Sequence, residues 1–306
     1  VKNYGPHQTK AAFALRKLCG RVVLLNGTPI SHSPGDMYSQ GMIMHPGILG
    51  CDNYFQFRSR YAVMGGWQGK QIVSWINLPD MQKRFAPFVL RRLKSQCLDL
   101  PPKLDSVPIE PALTPNTWRI YKEMKASMVA WLNAATPAMA SQAGVKALRL
   151  AQITSGFVGG VADLDAEGPQ DPVQTIGSEK IDITIDWLDR ALEEDPNLKL
   201  LMWCRFRPEL LRLYETLARR YPTVEVGKIW GGQKRDEREA AIRLLDPRTT
   251  PNGQAIVIGT PQSGALGLNL TAAHTVIYVS NDYSLKTRLQ SEDRVHRPGQ
   301  TQAVSY

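Results

Sequence analysis

Cysteine and histidine are scarce in this chain of 306 residues, with four of the first and five of the second. Cys19, Cys51, Cys97 and Cys204 make no CxxC pair, and no histidines cluster beside them, which excludes the usual zinc-ligand spacings. Cysteines scattered singly in this way predict reduced, buried thiols in an intracellular protein. No run approaches the roughly 18 consecutive apolar residues of a membrane span, so no membrane partner is expected. The opening VKNYGPHQTK has no apolar core of the kind a signal peptide needs. Tandem repeats and low-complexity tracts are also absent.

What remains is an ordinary globular composition, 43% hydrophobic and 21% charged, enough for two domains or one large one. Lys and Arg exceed Asp and Glu to give a net charge of +9, with a pI near 9.4. A surplus of that sign favours a polyanionic partner, most often nucleic acid.

Residues 7 to 19 predict a helix with Phe13, Ala14, Leu15 and Leu18 on its apolar side and Gly20 just past its end. Val22 to Leu25 form a continuous apolar run that predicts a strand buried on both faces, leading into Asn26, Gly27, Thr28 and Pro29. Between residues 36 and 100 the aromatics Tyr54, Phe55, Phe57, Tyr61, Trp67 and Trp75 read as core and interface packing. Arg84, Arg91, Arg92 and Lys94 read as a basic face toward nucleic acid or as a solvated helix edge, the second being the default. Five prolines between Pro101 and Pro115 predict an extended connector and a domain boundary. Thr114 then caps a helix that starts at Pro115, and Trp118, Tyr121, Met124, Met128 and Trp131 form an apolar stripe suited to core packing. A second helix is expected over 138 to 153, an exposed loop over 155 to 178, and a helix capped by Ser178 that stops before Pro196.

From Lys199 onward, strands alternate with helices. LLMWC, QAIVIGT and TVIYVS read as buried strands of a parallel α/β layer. The helix between the first two carries Leu210, Leu213, Tyr214, Leu217 and Tyr221 on one side. A charged helix runs through Arg238 and Ala241, and a loop containing Gly264 and Gly267 follows the second strand. Last comes QSEDRVHRPGQ, from Gln290 to Gln300. Gln290, Arg294 and Arg297 recur at i, i+4 and i+7, one face of a helix that Pro298 ends. Two permanently charged, fork-shaped guanidinium groups on one short element suit a surface that grips phosphate.

Taken in order, these segments resemble the Swi/Snf-type DNA-dependent ATPases of the superfamily-two helicase class, over nearly the whole chain. LLNGTPI is similar to the family's third motif and FVLRRLKSQCLDLPPK to the segment leading out of its first lobe. LLMWCRF resembles the fourth motif, and IWGGQKRDEREAAI the G-x(4–6)-R segment that follows it. GTPQSGALGLNLTAAHTVIY and QSEDRVHRPGQ resemble the fifth and sixth motifs. The wording of NDYSLKTRLQSEDRVHRPGQ and LRLAQITSGF looks most like small phage and bacterial members.

The resemblance implies RecA-like parallel-sheet lobes with a helical insertion between them. The expected divisions are residues 1–103 for the C-terminal part of the first lobe, 104–180 for a Pro-rich linker and helical insertion, and 181–306 for the second lobe. It implies ATP as substrate, Mg2+ whose ligands lie outside this chain, double-stranded DNA as partner, and an intracellular setting. That setting is the cytoplasm or nucleoid for a bacterial or phage protein and the nucleus for a eukaryotic one. By position, Arg297 becomes an arginine finger, Arg294 its neighbour in the phosphate network, and Gln290 a link to the fifth motif. Gly267 and Asn269 shape the coupling loop, and Gly27 and Thr28 belong to the nucleotide side. Thr260 and Ser263, with Arg205, Arg207, Lys234 and Arg235, are candidates for DNA phosphates.

Departures bound this reading. The chain has no GxxxxGK[ST] loop and no DExH box, so the usual phosphate cradle and magnesium carboxylates are missing from it. Asn26, His32, Pro261 and Ala265 depart from the family's usual residues. The expectation is therefore a fragment of an ATP-dependent DNA translocase or remodeller, inactive alone. A non-catalytic nucleic-acid-binding fragment and a strand-separating helicase are the alternatives.

Overall fold

A computed structural model describes residues 7–30, 32–134, 140–159, 172–246, 248–250, 253–264 and 268–306. The chain divides into two compact units, Val1–Cys97 and Leu98–Tyr306.

The first unit contains helices α1 (His7–Leu18), α2 (Asp36–Met44), α3 (Tyr54–Tyr61), α4 (Leu78–Phe85) and α5 (Lys94–Cys97). A hairpin of β1 (Ala62–Gly65) and β2 (Gln71–Trp75) pairs antiparallel between α3 and α4. Asn53 starts α3 by accepting a hydrogen bond from the Gln56 N–H at 3.0 Å. Tyr38, Leu49, Phe57, Tyr61, Met81 and Phe85 make the core, with Tyr54 and Trp75 packed against it. Phe55 is exposed, and the side chain of Trp67 lies outside the described residues. Buried Tyr61 donates to Asp80 at 2.7 Å, and burial followed by that carboxylate pushes its phenol up to about 12.

The run Val22–Leu25 is not a strand. Val23 is 80% exposed and Leu25 93%, and no described residue pairs with their backbone in a ladder. A strand buried on both faces needs neighbouring strands and covering helices; this run belongs to no sheet among the described residues, and only Val22 and Leu24 are partly buried. The apolar side of α1 is open in the same way, with Leu15 and Leu18 exposed.

The second unit begins with the Pro-rich segment, which packs rather than merely connecting. Lys103 bridges Val304 in parallel, and Leu104 N–H donates to Val304 O at 2.9 Å. Helices α6 (Pro115–Ala134) and α7 (Ala140–Thr154) lie against each other. Thr114 caps α6 through its Oγ1, which accepts from Thr117 N–H at 3.4 Å. The expected core stripe on α6 is only half covered. Trp118 is 45% exposed and Tyr121, Met124 and Met128 are intermediate, because a two-helix layer buries one flank of each helix. The Trp131 side chain lies outside the described residues. Short strands β3 (Phe157–Val158) and β4 (Gln174–Thr175) pair antiparallel across a stretch whose residues 160–171 lie outside the described set.

Helix α8 (Glu179–Glu194) leads into the central sheet. That sheet comprises β5 (Lys199–Trp203), β6 (Glu225–Ile229), β7 (Ala255–Gly259) and β8 (Thr275–Tyr278), all parallel, in the spatial order β6-β7-β5-β8. Helices α9 (Arg207–Arg220), α10 (Arg235–Arg243), α11 (Pro261–Gly264) and α12 (Leu285–Val295) occupy the crossovers and the end of the unit. Alternate side chains of the strands point to opposite faces. Leu200, Met202, Ile256 and Ile258 pack under α8 and α9 with Leu188, Leu210, Leu213 and Leu217. Leu201, Trp203 and Val257 pack on the other face with Ala241, Leu245, Leu270 and Val295. Both faces are apolar, which is why these strands read as unbroken hydrophobic runs. The four cysteines are free; Cys51 and Cys204 are buried as expected, but Cys19 and Cys97 are exposed. No described helix is long and apolar enough to cross a membrane.

Candidate phosphate-facing site

Loops that leave the carboxyl ends of parallel strands are where ligands gather in α/β folds. In the second unit these loops carry Arg205, Lys234 and Thr260, while Arg207, Arg235, Ser263, Gln290 and Arg294 lie on the helices that follow them. Helix α12 brings Gln290 and Arg294 one turn apart on one side. Its N-terminus is capped by Ser284, whose Oγ accepts from Thr287 N–H at 3.3 Å. The helix stops at Val295, two residues before the expected end, and His296 caps it by donating its N–H to Glu292 O. Arg297 therefore follows the helix instead of riding on it. The residue before a proline is driven out of helical geometry, and Gly299 at φ +102° completes the turn.

That turn is fixed from inside. Gln300 is buried; its Nε2 donates to Ala273 O at 2.9 Å, and its Oε1 accepts from the N–H groups of Thr301 and Gln302. Sequence reasoning gave Gln300 no role, because its main partner, Ala273 O, is 27 positions away.

Two hydrogen bonds join the arginine end of α12 to the loop after β7. Leu270 N–H donates to Arg294 O at 3.1 Å, and Arg297 Nη1 donates to Leu268 O at 3.3 Å. Asn269, exposed, stands between these two anchor points, so the structure brings Asn269, Arg294 and Arg297 together. Gly267 lies outside the described residues.

Thr260 and Ser263 turn inward. Both are buried: Thr260 Oγ1 donates to Ser263 Oγ at 2.9 Å, and Ser263 Oγ donates to Ile229 O at 3.0 Å. Their hydroxyls are engaged within the loop rather than offered to an outside phosphate. The arginine after β5, Arg205, is pinned as well. Its backbone N–H donates to Ser280 Oγ at 2.7 Å, and its guanidinium lies 4.7 Å from the Tyr283 ring and 3.7 Å from Asp282. Ser280 in turn donates to Glu209, a buried carboxyl whose pKa burial pushes up. Arg207 is exposed, its guanidinium 4.0 Å over Trp230. Lys234, also exposed, begins α10. Arg235 points into solvent with Glu239 at 2.7 Å.

In the first unit, Gly27 and Thr28 form a side-chain-closed turn. Thr28 N–H donates to Asn26 Oδ1 at 3.0 Å. Buried Gln40, which the sequence reading passed over, holds the turn by donating to Pro29 O at 2.8 Å and to Asp36 O at 2.7 Å.

The donor set around α12 is cationic and amide-bearing, which fits an anionic phosphate. Among the described residues there is no cluster of three His, Cys, Asp or Glu side chains able to hold a metal ion, so these residues do not fit a magnesium site.

Comparison with known proteins bears on this arrangement directly. Residues 179–299 match the model of the helicase conserved C-terminal domain, from the start of α8 to the Pro-Gly turn. The matched residues lie wholly within the second unit. Over 97% of its length the chain is 25% identical to TATA-binding protein-associated factor MOT1 of Saccharomyces cerevisiae, and it covers 18% of that protein. It is likewise 25% identical over 92% of its length to chromatin structure-remodeling complex subunit snf21 of Schizosaccharomyces pombe, covering 24% of it. The SWI2/SNF2 ATPase core domain of Sulfolobus solfataricus shares the fold, with a TM-score of 0.50 and 23% identity over 100% of this chain and 58% of that one. The chain thus spans about a fifth of the length of the curated relatives it matches. Those relatives are eukaryotic, so the expected likeness to phage and bacterial members finds no support in them.

Proposed function

We propose that this chain is part of an ATP-dependent double-stranded DNA translocase or remodeller, in which the helicase C-terminal domain supplies the arginine finger. The observation that carries the reading is the pair of bonds tying Arg294 and Arg297 to residues 268–270. One short structure thereby links a phosphate-gripping pair of cations to the crossover between β7 and β8. On this reading Arg297 approaches the γ-phosphate of ATP and neutralises charge that grows on the transferred phosphoryl group. An arginine in that role is worth about 10³–10⁵ in rate. Arg294 holds the same phosphate network, and Gln290 lies one turn before it on the same side of the helix. Asn269, between the two bonds, senses whether the arginines are engaged and passes that state to the loop facing DNA. The exposed cations Arg207, Lys234 and Arg235 bring favourable charge to the DNA phosphates. Arg205, Thr260 and Ser263 shape the loops, and Gly27 and Thr28 are candidates for nucleotide contact by the first unit on its own.

The test is Arg297→Ala in the full-length protein. DNA-stimulated hydrolysis is expected to fall by at least about a thousandfold while DNA affinity stays nearly intact. Turnover within a few fold of wild type would remove Arg297 from the role.

A further inference from the structure

The side of α12 that faces away from Gln290 is held by the Pro-rich segment through which the chain enters the second unit. At 100° per residue, Arg288 and Glu292 each stand about 160° from Gln290 around the helix. Glu292, its side chain 14% exposed, receives two cations. Lys103 Nζ approaches its Oε2 at 2.9 Å and Arg288 Nε its Oε1 at 2.6 Å. Arg288 also donates to Asn281 Oδ1 at 2.9 Å and to Ser106 Oγ at 3.4 Å, and its guanidinium lies 3.4 Å from the Tyr278 ring centroid. One turn further on, His296 Nε2 sits 2.8 Å from Pro101 O. Residues 101–107 are thus bonded to α12 at three heights, through Pro101, Lys103 and Ser106. The same segment is fixed to the end of the chain by the Leu104–Val304 and Val107–Tyr306 backbone bonds.

We infer that residues 101–107 act as a strap that sets the position of the arginine helix, with Lys103 and Glu292 as positioning residues for the turnover proposed above. The inference rests on that reading. The strap touches neither Gln290 nor Arg294 by any of these bonds. It fixes the rotation and height of the helix that carries them, and with it the turn that aims Arg297. A displacement of residues 98–103 as the chain enters the unit is transmitted to the arginines through rigid, bonded contacts rather than through solvent.

Lys103→Ala is the informative change, because Glu292 keeps Arg288 as a partner and no carboxylate is left buried alone. In the full-length protein, kcat for DNA-stimulated hydrolysis is expected to fall about tenfold, with KM for ATP and DNA affinity within about twofold of wild type. The thermal midpoint is expected to stay within about 2 °C, as removing one partly exposed ion pair has little effect on stability. Lys103→Arg should restore most of kcat, and Glu292→Gln, which preserves shape, should reproduce the loss. Wild-type kcat in Lys103→Ala overturns the strap, whatever Glu292→Gln shows. So does a kcat loss that tracks a fall in thermal midpoint, which would mark a purely structural tie. Arg297→Ala measured alongside separates the two levels. An inactive Arg297→Ala with a normal Lys103→Ala removes the strap alone, whereas an active Arg297→Ala removes the finger reading and the strap with it.

Discussion

Glu179 shows how a single residue ties the helices of the second unit together. Its carboxylate accepts from Thr114 N–H at 3.0 Å and from Thr114 Oγ1 at 2.8 Å, joining the first turn of α6 to that of α8. Burial alone would raise its pKa, but hydrogen bonds from Thr117, its own backbone N–H and Thr114 outweigh that and hold it at about 2. A carboxyl with a folded-state pKa below its unfolded value of 4.5 adds stability that is fully present above pH 4.5 and is lost as pH falls toward 2. The contribution is about 3 kcal/mol at neutral pH. Glu179→Gln should lower the unfolding free energy at pH 7 and flatten its dependence between pH 5 and about 2. An unchanged acid limb in urea titrations would show that the carboxylate is not the group responsible. At Gly299, φ is +102° although space is open, with Thr271 Oγ1 the nearest heavy atom at 3.7 Å. Gly299→Ala should therefore destabilise through backbone strain rather than clash, by about 1–2 kcal/mol. A thermal midpoint equal to wild type would contradict that.

At the scale of elements, the second unit was largely written in its apolar pattern. Residues 199–203 and 255–259 are buried throughout, as their unbroken hydrophobic runs imply. Strand β6 was passed over because Glu225, Gly227 and Lys228 interrupt its pattern; at Gly227 a Cβ would crowd Leu244 and Ala241 at 2.9 and 3.1 Å. Val22–Leu25 misled for the opposite reason. Its local signal is that of a strand, but a strand is completed by neighbours that the signal does not contain. The end of α12 was legible in kind but not in place: the proline stops the helix at Arg297 at the latest, and His296 already leaves helical geometry and caps it. The sequence named Arg294 and Arg297. It held no local sign of Lys103, 189 positions from Glu292, because such pairings depend on tertiary packing alone. The Ser284 cap is a local device on which the arginine helix depends. Ser284→Ala should destabilise the second unit by about 1 kcal/mol, read as a lower urea midpoint at unchanged slope. An unchanged midpoint would mean that the helix is held by its strap and core alone.

For the whole molecule, the proposed function makes the net charge of +9 and the exposed cations at the starts of α9 and α10 the source of a salt-sensitive DNA interface. Each phosphate contact contributes a slope of about −0.9 to log K against log salt on double-stranded DNA. Removing Arg207 and Lys234 together should reduce the magnitude of the slope by about 1–2 and weaken binding alike on unrelated sequences. An unchanged slope would move the interface elsewhere. The central claim, that Arg297 meets charge developing on a transferred phosphate, is tested most directly with a transition-state mimic. The measurement is retention of ADP with aluminium fluoride by the full-length protein on DNA, wild type against Arg297→Ala. Because a finger acts more strongly in the transition state than in the ground state, wild type should trap the complex. The variant should lose it while still binding ATP within a few fold of wild type. Equal trapping by both proteins would contradict the assignment.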